Sequence, residues 1–538
     1  MNKFGIVMLY SILLFSNQIF GQFNALEKGV FSGSFESISQ WYQDDNKIIV
    51  SVPQDKWATN NYLSLHYTFG KFYAGLQYEA YMPPLLGYSR KFDGSGVAHK
   101  FFSYRGDFME ITVGDFYEQF GSGLIFRAYE NRQLGIDNAL NGVNIRLKPS
   151  DFFSLKLVYG KQRKYFEESN GILRGLDGDL DIIKLFKIQK NIGLQIGASL
   201  LSHYELYTGA DPLFPPTVNS YSGRLDFNST RLTLSGEYVF KESDPHDLNY
   251  FWYKTGNALL LNAAYASNGL AMNLSLRRLE NMDSRSERTA TDTELMINFL
   301  PANTKQHKYS LANIYPYSAQ VMGEIGGQYS VFYKIPTGSL LGGKYGTKLN
   351  FNYSVYYGLD TTFLGGTQGF ESKYFAYGEE LYYQDINFEL DKKWSKAFKT
   401  VLGYMNQRYN KAQVDGGDYP IVNSDIVFFD FLVKFPKNRS IRTEIQHLST
   451  KDDLKSWVAA LIELNINPSW TIYAADMYNY GNAGEKVHYY NVGTSFVKNV
   501  HRIEISYSRQ RESLMCVGGV CRQVPAFKGL TLNISSSF

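Results

Sequence analysis

The chain ends on Leu530-Thr531-Leu532-Asn533-Ile534-Ser535-Ser536-Ser537-Phe538. Leu530, Leu532, Ile534 and Phe538 share one parity, and Thr531, Asn533, Ser535 and Ser537 share the other. Successive side chains of a strand point to opposite faces, so this is a strand with an apolar and a polar face. Ser536 interrupts the apolar face. A strand at a chain end frays unless something ties it down. Closure of a membrane β-barrel ties it, because lipid tolerates no unpaired sheet edge. Closure then requires pairing with the first strand, read at 29–43, and with the strand at 501–511.

The same alternation recurs upstream. Ile503, Ile505 and Tyr507 oppose Arg502, Glu504, Ser506 and Ser508. Ile441 and Ile445 oppose Arg442, Glu444 and Gln446, and Ile386, Phe388 and Leu390 oppose Asp385, Asn387 and Glu389. A soluble sandwich would show this alternation too, but a closed core would have to bury those charges at a heavy desolvation cost unless they were paired. A water-filled lumen removes the cost. Aromatic residues make up 16% of the chain, 42 of them Tyr and 38 Phe, a share that suits pleated surfaces.

Short turns are read at 70–71, 106–107, 149–150, 190–191, 228–229, 267–268, 395–396, 437–438, 467–468 and 498–499, with a longer one at 336–346. Longer polar connections are read at 163–179, 280–320, 358–373 and 411–423. This rhythm predicts an all-β fold, a large antiparallel transmembrane β-barrel of about 24 strands (roughly 22 to 26) with short periplasmic turns and long extracellular loops. It puts Phe538 at the periplasmic rim and the cysteines on an extracellular loop.

Residues 1–21 read as a signal peptide, from Lys3, the apolar run Ile6 to Phe15 and the small residue Gly21. The expected organisation is that segment followed by a single outer-membrane barrel domain over 22–538. Beyond residue 22 no apolar run is long enough for a transmembrane helix. The near-balanced formal charge of +3 excludes a nucleic-acid partner. Cys516 and Cys521 flank Val517-Gly518-Gly519-Val520, and a close pair in an exported chain is expected to form a disulfide. The alternative, a metal site, lacks further ligands nearby.

The densest run of unusual residues starts at Gly114-Asp115-Phe116-Tyr117-Glu118 and continues through Arg127, Glu130 and Arg132. The lipid-facing parity of Met109, Ile111 and Val113 breaks at Asp115, so a strand leaves the wall and turns into a loop, one that can fold into the lumen. Asp115, Glu118, Arg127, Glu130 and Arg132 are the lumen or constriction candidates. Three readings stay open: charges that pin the loop, which is the expected one, a solute-selecting constriction, and a carboxylate-based active site. A second cluster spans 300–317, where His307 has no partner at a diagnostic spacing. There is no G-x-S-x-G elbow, phosphate-binding loop or H-E-x-x-H, so no enzyme, cofactor or metal is expected.

Three signatures taken together resemble an uncharacterised family of outer-membrane β-barrel proteins from Bacteroidota. They are Gly114-Asp115-Phe116-Tyr117-Glu118-Gln119-Phe120-Gly121-Ser122-Gly123-Leu124, then Pro336-Thr337-Gly338-Ser339 with Gly342-Gly343-Lys344-Tyr345-Gly346-Thr347, and Cys516-Val517-Gly518-Gly519-Val520-Cys521-Arg522 with Val524-Pro525-Ala526. The resemblance implies fold and location in the cell outer membrane, and it carries over no site residue.

The leading functional expectation is a porin-like channel for solute passage. The alternative is a scaffold or accessory subunit of an outer-membrane secretion or assembly complex, with its lumen plugged by its own loops. Expected partners are outer-membrane lipid, complex partners in that alternative, and barrel-assembly machinery during biogenesis, whose recognition signal the end at Phe538 resembles. What decides between open and plugged is whether 115–140 and 300–320 fill the lumen.

Overall fold

The computed structural model describes residues 29–48, 52–189, 191–209, 211–416, 419–484, 486–517 and 520–538. The segment read as a signal peptide, 1–21, lies outside the described residues. Twenty-four antiparallel strands form one closed sheet. The first, Gly29–Tyr42, pairs with the last, Phe527–Ser537, from Ser34 with Ser537 to Tyr42 with Gly529. The other edge of the last strand pairs with His501–Gln510. Beyond the ladder, Gly33 and Phe538 exchange backbone hydrogen bonds of 2.8 and 2.9 Å. A Cβ on Gly33 would lie 2.5 Å from the Phe538 ring, so only glycine lets that ring close over the seam.

Parity assigns the two faces as expected. Leu530, Leu532 and Ile534 stand beside Tyr507, Ile505 and Ile503, and Ile503 and Ile505 are exposed while Ser506 and Ser508 are buried. Ile445 and Phe388 likewise point out, and Glu444, Gln446, Asp385 and Asn387 point in. Ser536, which breaks the apolar parity, hydrogen-bonds His501 at 2.7 Å. The break therefore sits at the rim. Phe69, Phe72, Phe108, Phe398, Phe435 and Trp470 are exposed and flank short turns at that same end, the arrangement of an aromatic girdle. Among the described residues no helix is long and apolar enough to cross a membrane.

Most connections fall where the turn residues put them, including 70–71 and 336–346. Three differ. The expected loop at 163–179 is a hairpin of Phe153–Lys164 and Glu167–Asp181 with two residues between them. Glycines hid the second strand, and one is needed: a Cβ on Gly175 would lie 2.6 Å from the Phe120 ring inside the barrel. The connection at 358–373 is shorter than read, because Thr347–Phe363 and Phe370–Lys393 extend past the wall. In place of a short turn at 190–191, Glu167–Asp181 is followed by the helical turn Ile182–Leu185 before the next strand, Ile192–Tyr204; residue 190 lies outside the described residues.

Candidate functional site

Two connections at the loop end do not stay outside. Residues 117–139 and 281–322 turn inward and fill much of the lumen. In the first, Gln119–Phe120 pairs with Phe126–Arg127, and Glu130–Asn131 pairs with Ile136–Asp137. Phe120, Leu124, Ile125 and Phe126 pack against wall residues such as Leu173, Leu201, Val239 and Leu279. The second carries Tyr309, Leu311, Tyr315 and Tyr317 into a cluster with wall residues Tyr356, Tyr383, Tyr409, Phe428 and Trp457. The two inserts also bond each other. Arg127 N–H donates to Ile297 O at 2.9 Å and Phe299 N–H to Gly123 O at 3.0 Å.

The five charged residues singled out from sequence are all engaged within the protein. Asp115 accepts from the backbone of Lys100 at 2.7 Å and from Asn141 at 3.0 Å. Glu118 pairs with Arg146 at 2.6 Å and accepts from Asn144 at 3.1 Å. Arg132 bridges Glu130 and Glu36, each at 2.7 Å, and lies over the Tyr62 ring. Arg127 lies over Phe299 with 4.0 Å from guanidinium carbon to ring centroid. Asp115 ties strand to strand, and the others hold the insert to the wall or to its neighbour.

The anchors that sequence reading missed are long-range. Arg163 pairs with Glu79 at 2.6 Å and also with Asp137. His307 bonds Asp385 at 2.6 Å, across 78 residues of chain. No spacing rule shows such pairs; the inward parity of Asp385 was the usable half of that signal. The carboxylates of Glu79, Glu130 and Asp137 lie within 4.8 Å of one another. Arg163 pairs with Glu79 and Asp137 and Arg132 with Glu130, so each of the three carboxylates has a guanidinium partner.

A cavity of about 910 Å³ lies between the second insert and the wall. Its lining runs from Lys399, one residue into Phe398–Asn410 at the short-turn end, to Arg511 and Cys516 at the loop end. Asp430 and Glu444 in this lining share Arg442. Tyr315, Tyr489 and Gln510 line the upper part. Burial and Asp453 push the Tyr315 hydroxyl up, and burial lowers Arg511 while Tyr315 and Tyr489 oppose it.

Cys516 and Cys521 form the expected disulfide, in a hairpin of Ser513–Val517 and Val520–Val524. Arg522 of this hairpin lies over Tyr88 and donates to Gln133 O of the first insert at 3.0 Å. Met515 and Cys516 border the cavity. The hairpin therefore touches the first insert and the mouth of the remaining space.

A family described as "Family of unknown function (DUF6029)" matches residues 1–538. Among curated proteins nothing matches. Similar solved structures include the P pilus usher (PapC) translocation pore, with 8% identity over 94% of this chain and 99% of that chain at TM-score 0.42. The siderophore receptor PirA from Pseudomonas aeruginosa gives 8% identity over 94% and 80% at TM-score 0.41. The ferric citrate transporter FecA in its unliganded form gives 8% identity over 94% and 78% at TM-score 0.39.

Proposed function

This chain belongs to the DUF6029 family, whose function is unknown, and we propose from its own geometry that it is an outer-membrane barrel passing small solutes through a narrow lumenal route. The apolar outer parity and the aromatic girdle support residence in a bilayer. Outer-membrane lipid is then its surroundings, and barrel-assembly machinery its partner during biogenesis. The observation that carries the functional reading is the cavity, which extends from the loop end to the short-turn end beside the second insert. A porin-like wide pore is narrowed by 117–139 and 281–322, whose apolar residues pack against the wall inside the lumen.

The test is current through the purified barrel in a planar bilayer. Gln510→Cys adds a thiol to the cavity lining, and the native cysteines are already bonded to each other. A bulky thiol reagent is expected to reduce the current of this variant and to leave Ile505→Cys, on the outer face, unaffected. Absence of current, or current indifferent to the Gln510→Cys adduct, overturns the reading.

A further inference from the structure

The charges around the cavity are unevenly spent. Each carboxylate in its lining has a partner: Asp430 and Glu444 hold Arg442, and Asp476 bonds the His488 imidazole at 2.7 Å. Lys305 and Lys399 are likewise paired, with Glu389 at 2.8 Å and Asp391 at 2.9 Å. Arg511 is different. Its one hydrogen bond goes to the carbonyl oxygen of Glu512 at 3.3 Å, and among the described residues no carboxylate lies within 4.0 Å of it. The nearby Asp453 is taken by Lys411 at 2.8 Å and by the Tyr315 hydroxyl at 3.2 Å.

Lys308 has spare capacity too. Its ammonium is 3.8 Å from Asp430, and its side chain is 55% exposed. The Tyr489 hydroxyl and the Gln510 amide line the same space and make no side-chain hydrogen bond among the described residues. Unused donors and unspent positive charge thus converge on a space walled by tyrosine rings. A guanidinium out of bulk water gains most from an anion that takes two of its N–H groups at once. Tyrosine faces and a volume of this size suit a ring-bearing solute of small-ligand dimensions.

We propose that this cavity binds small organic anions, carboxylates or phosphate esters carrying a ring, with Arg511 as the anchoring cation. The proposal rests on the reading of the cavity as the solute route. Arg511 stands at the loop end, so an incoming anion meets it first. Lys308 and the Arg442 cluster follow deeper in the barrel, and Lys399 lies near the exit. Charged linings of this kind set which ions enter a pore.

The experiment is titration calorimetry on the full barrel in detergent, with phenyl phosphate, benzoate and phenol as probes. Both anions are expected to bind and phenol is not. Binding of phenyl phosphate alone assigns the site to phosphate esters, and of benzoate alone to carboxylates; either supports the proposal. Arg511→Gln is expected to weaken the binding anion about tenfold or more, with Arg511→Lys intermediate because it keeps the charge and loses the fork. Arg231→Gln, in a turn at the far end, is expected to bind as wild type. Failure of both anions to bind, equal binding of phenol, or an Arg511→Gln titration matching wild type overturns the proposal. Binding needs no current, so loss of the anion site with persisting, thiol-sensitive current sinks this inference alone. Anion binding without any current sinks the passage reading instead.

Discussion

The two inserts fill the same lumen by different means. Residues 117–139 are fastened by charge: Glu118 to Arg146, Arg132 to Glu130 and Glu36, and Asp137 to Arg163. Residues 281–322 lean on aromatic stacking where they approach the far wall, with Tyr309 on Phe428 at 3.7 Å and Tyr317 on Tyr383 at 5.0 Å between ring centroids. The large cavity borders only the second. Residues 281–322 carry ion pairs to the wall as well, Arg288 with Glu205 at 3.2 Å and Lys305 with Glu389 at 2.8 Å. What sets the second insert apart is the cavity it borders.

The largest effect is expected from Arg163→Ala. It leaves Glu79 and Asp137 as buried carboxylates without their cation, at a cost of about 4 kcal/mol. Denaturant titration of the detergent-solubilised barrel measures it, and an unchanged midpoint breaks the charge-fastened half of the comparison. Unitary current is expected to stay as in wild type, because Arg163 is remote from the cavity lining. Tyr309→Ala removes a side chain only 1% exposed and is expected to cost about 3 kcal/mol. Tyr315→Ala removes a ring that does line the cavity, and its current should rise because the space beside the insert widens.

Deleting Phe538 serves as a reference outside both inserts. It removes two backbone hydrogen bonds at the seam, an expected loss of about 2 kcal/mol, together with lower membrane levels in cells. Equal levels with and without Phe538 count against its role as an assembly signal. The smallest effect is expected from His501→Ala, which breaks an exposed rim hydrogen bond to Ser536 and should cost about 0.5 kcal/mol. A loss as large as that of Tyr309→Ala would mean that the rim, and not the inserts, dominates stability.

The wall was legible in the sequence because lipid outside and polar groups inside impose a strict two-residue period. Leu530, Leu532 and Ile534 carried the terminal strand, closure supplied its partners, and the rhythm of short and long connections supplied its direction. The period failed where glycine replaced side chains, as at Gly175, whose missing side chain makes room for Phe120. The lumen was half legible. The parity break at Asp115 marked a segment leaving the wall, and the cluster read at 300–317 marked part of the second. The pairs that hold them were hidden, because Arg163 with Glu79 and His307 with Asp385 join distant residues by topology. Inward charges read as lining a wet lumen turn out, at Arg442 and Glu444, to be paired with each other and with Asp430.

The most direct test is the unitary conductance of wild type, Arg163→Ala and Tyr315→Ala in planar bilayers under identical salt. Small steps are predicted for wild type and Arg163→Ala, and larger steps for Tyr315→Ala. Steps in wild type as large as an unobstructed barrel of this strand number would give, or identical steps in all three proteins, would contradict a lumen narrowed to the cavity beside the second insert.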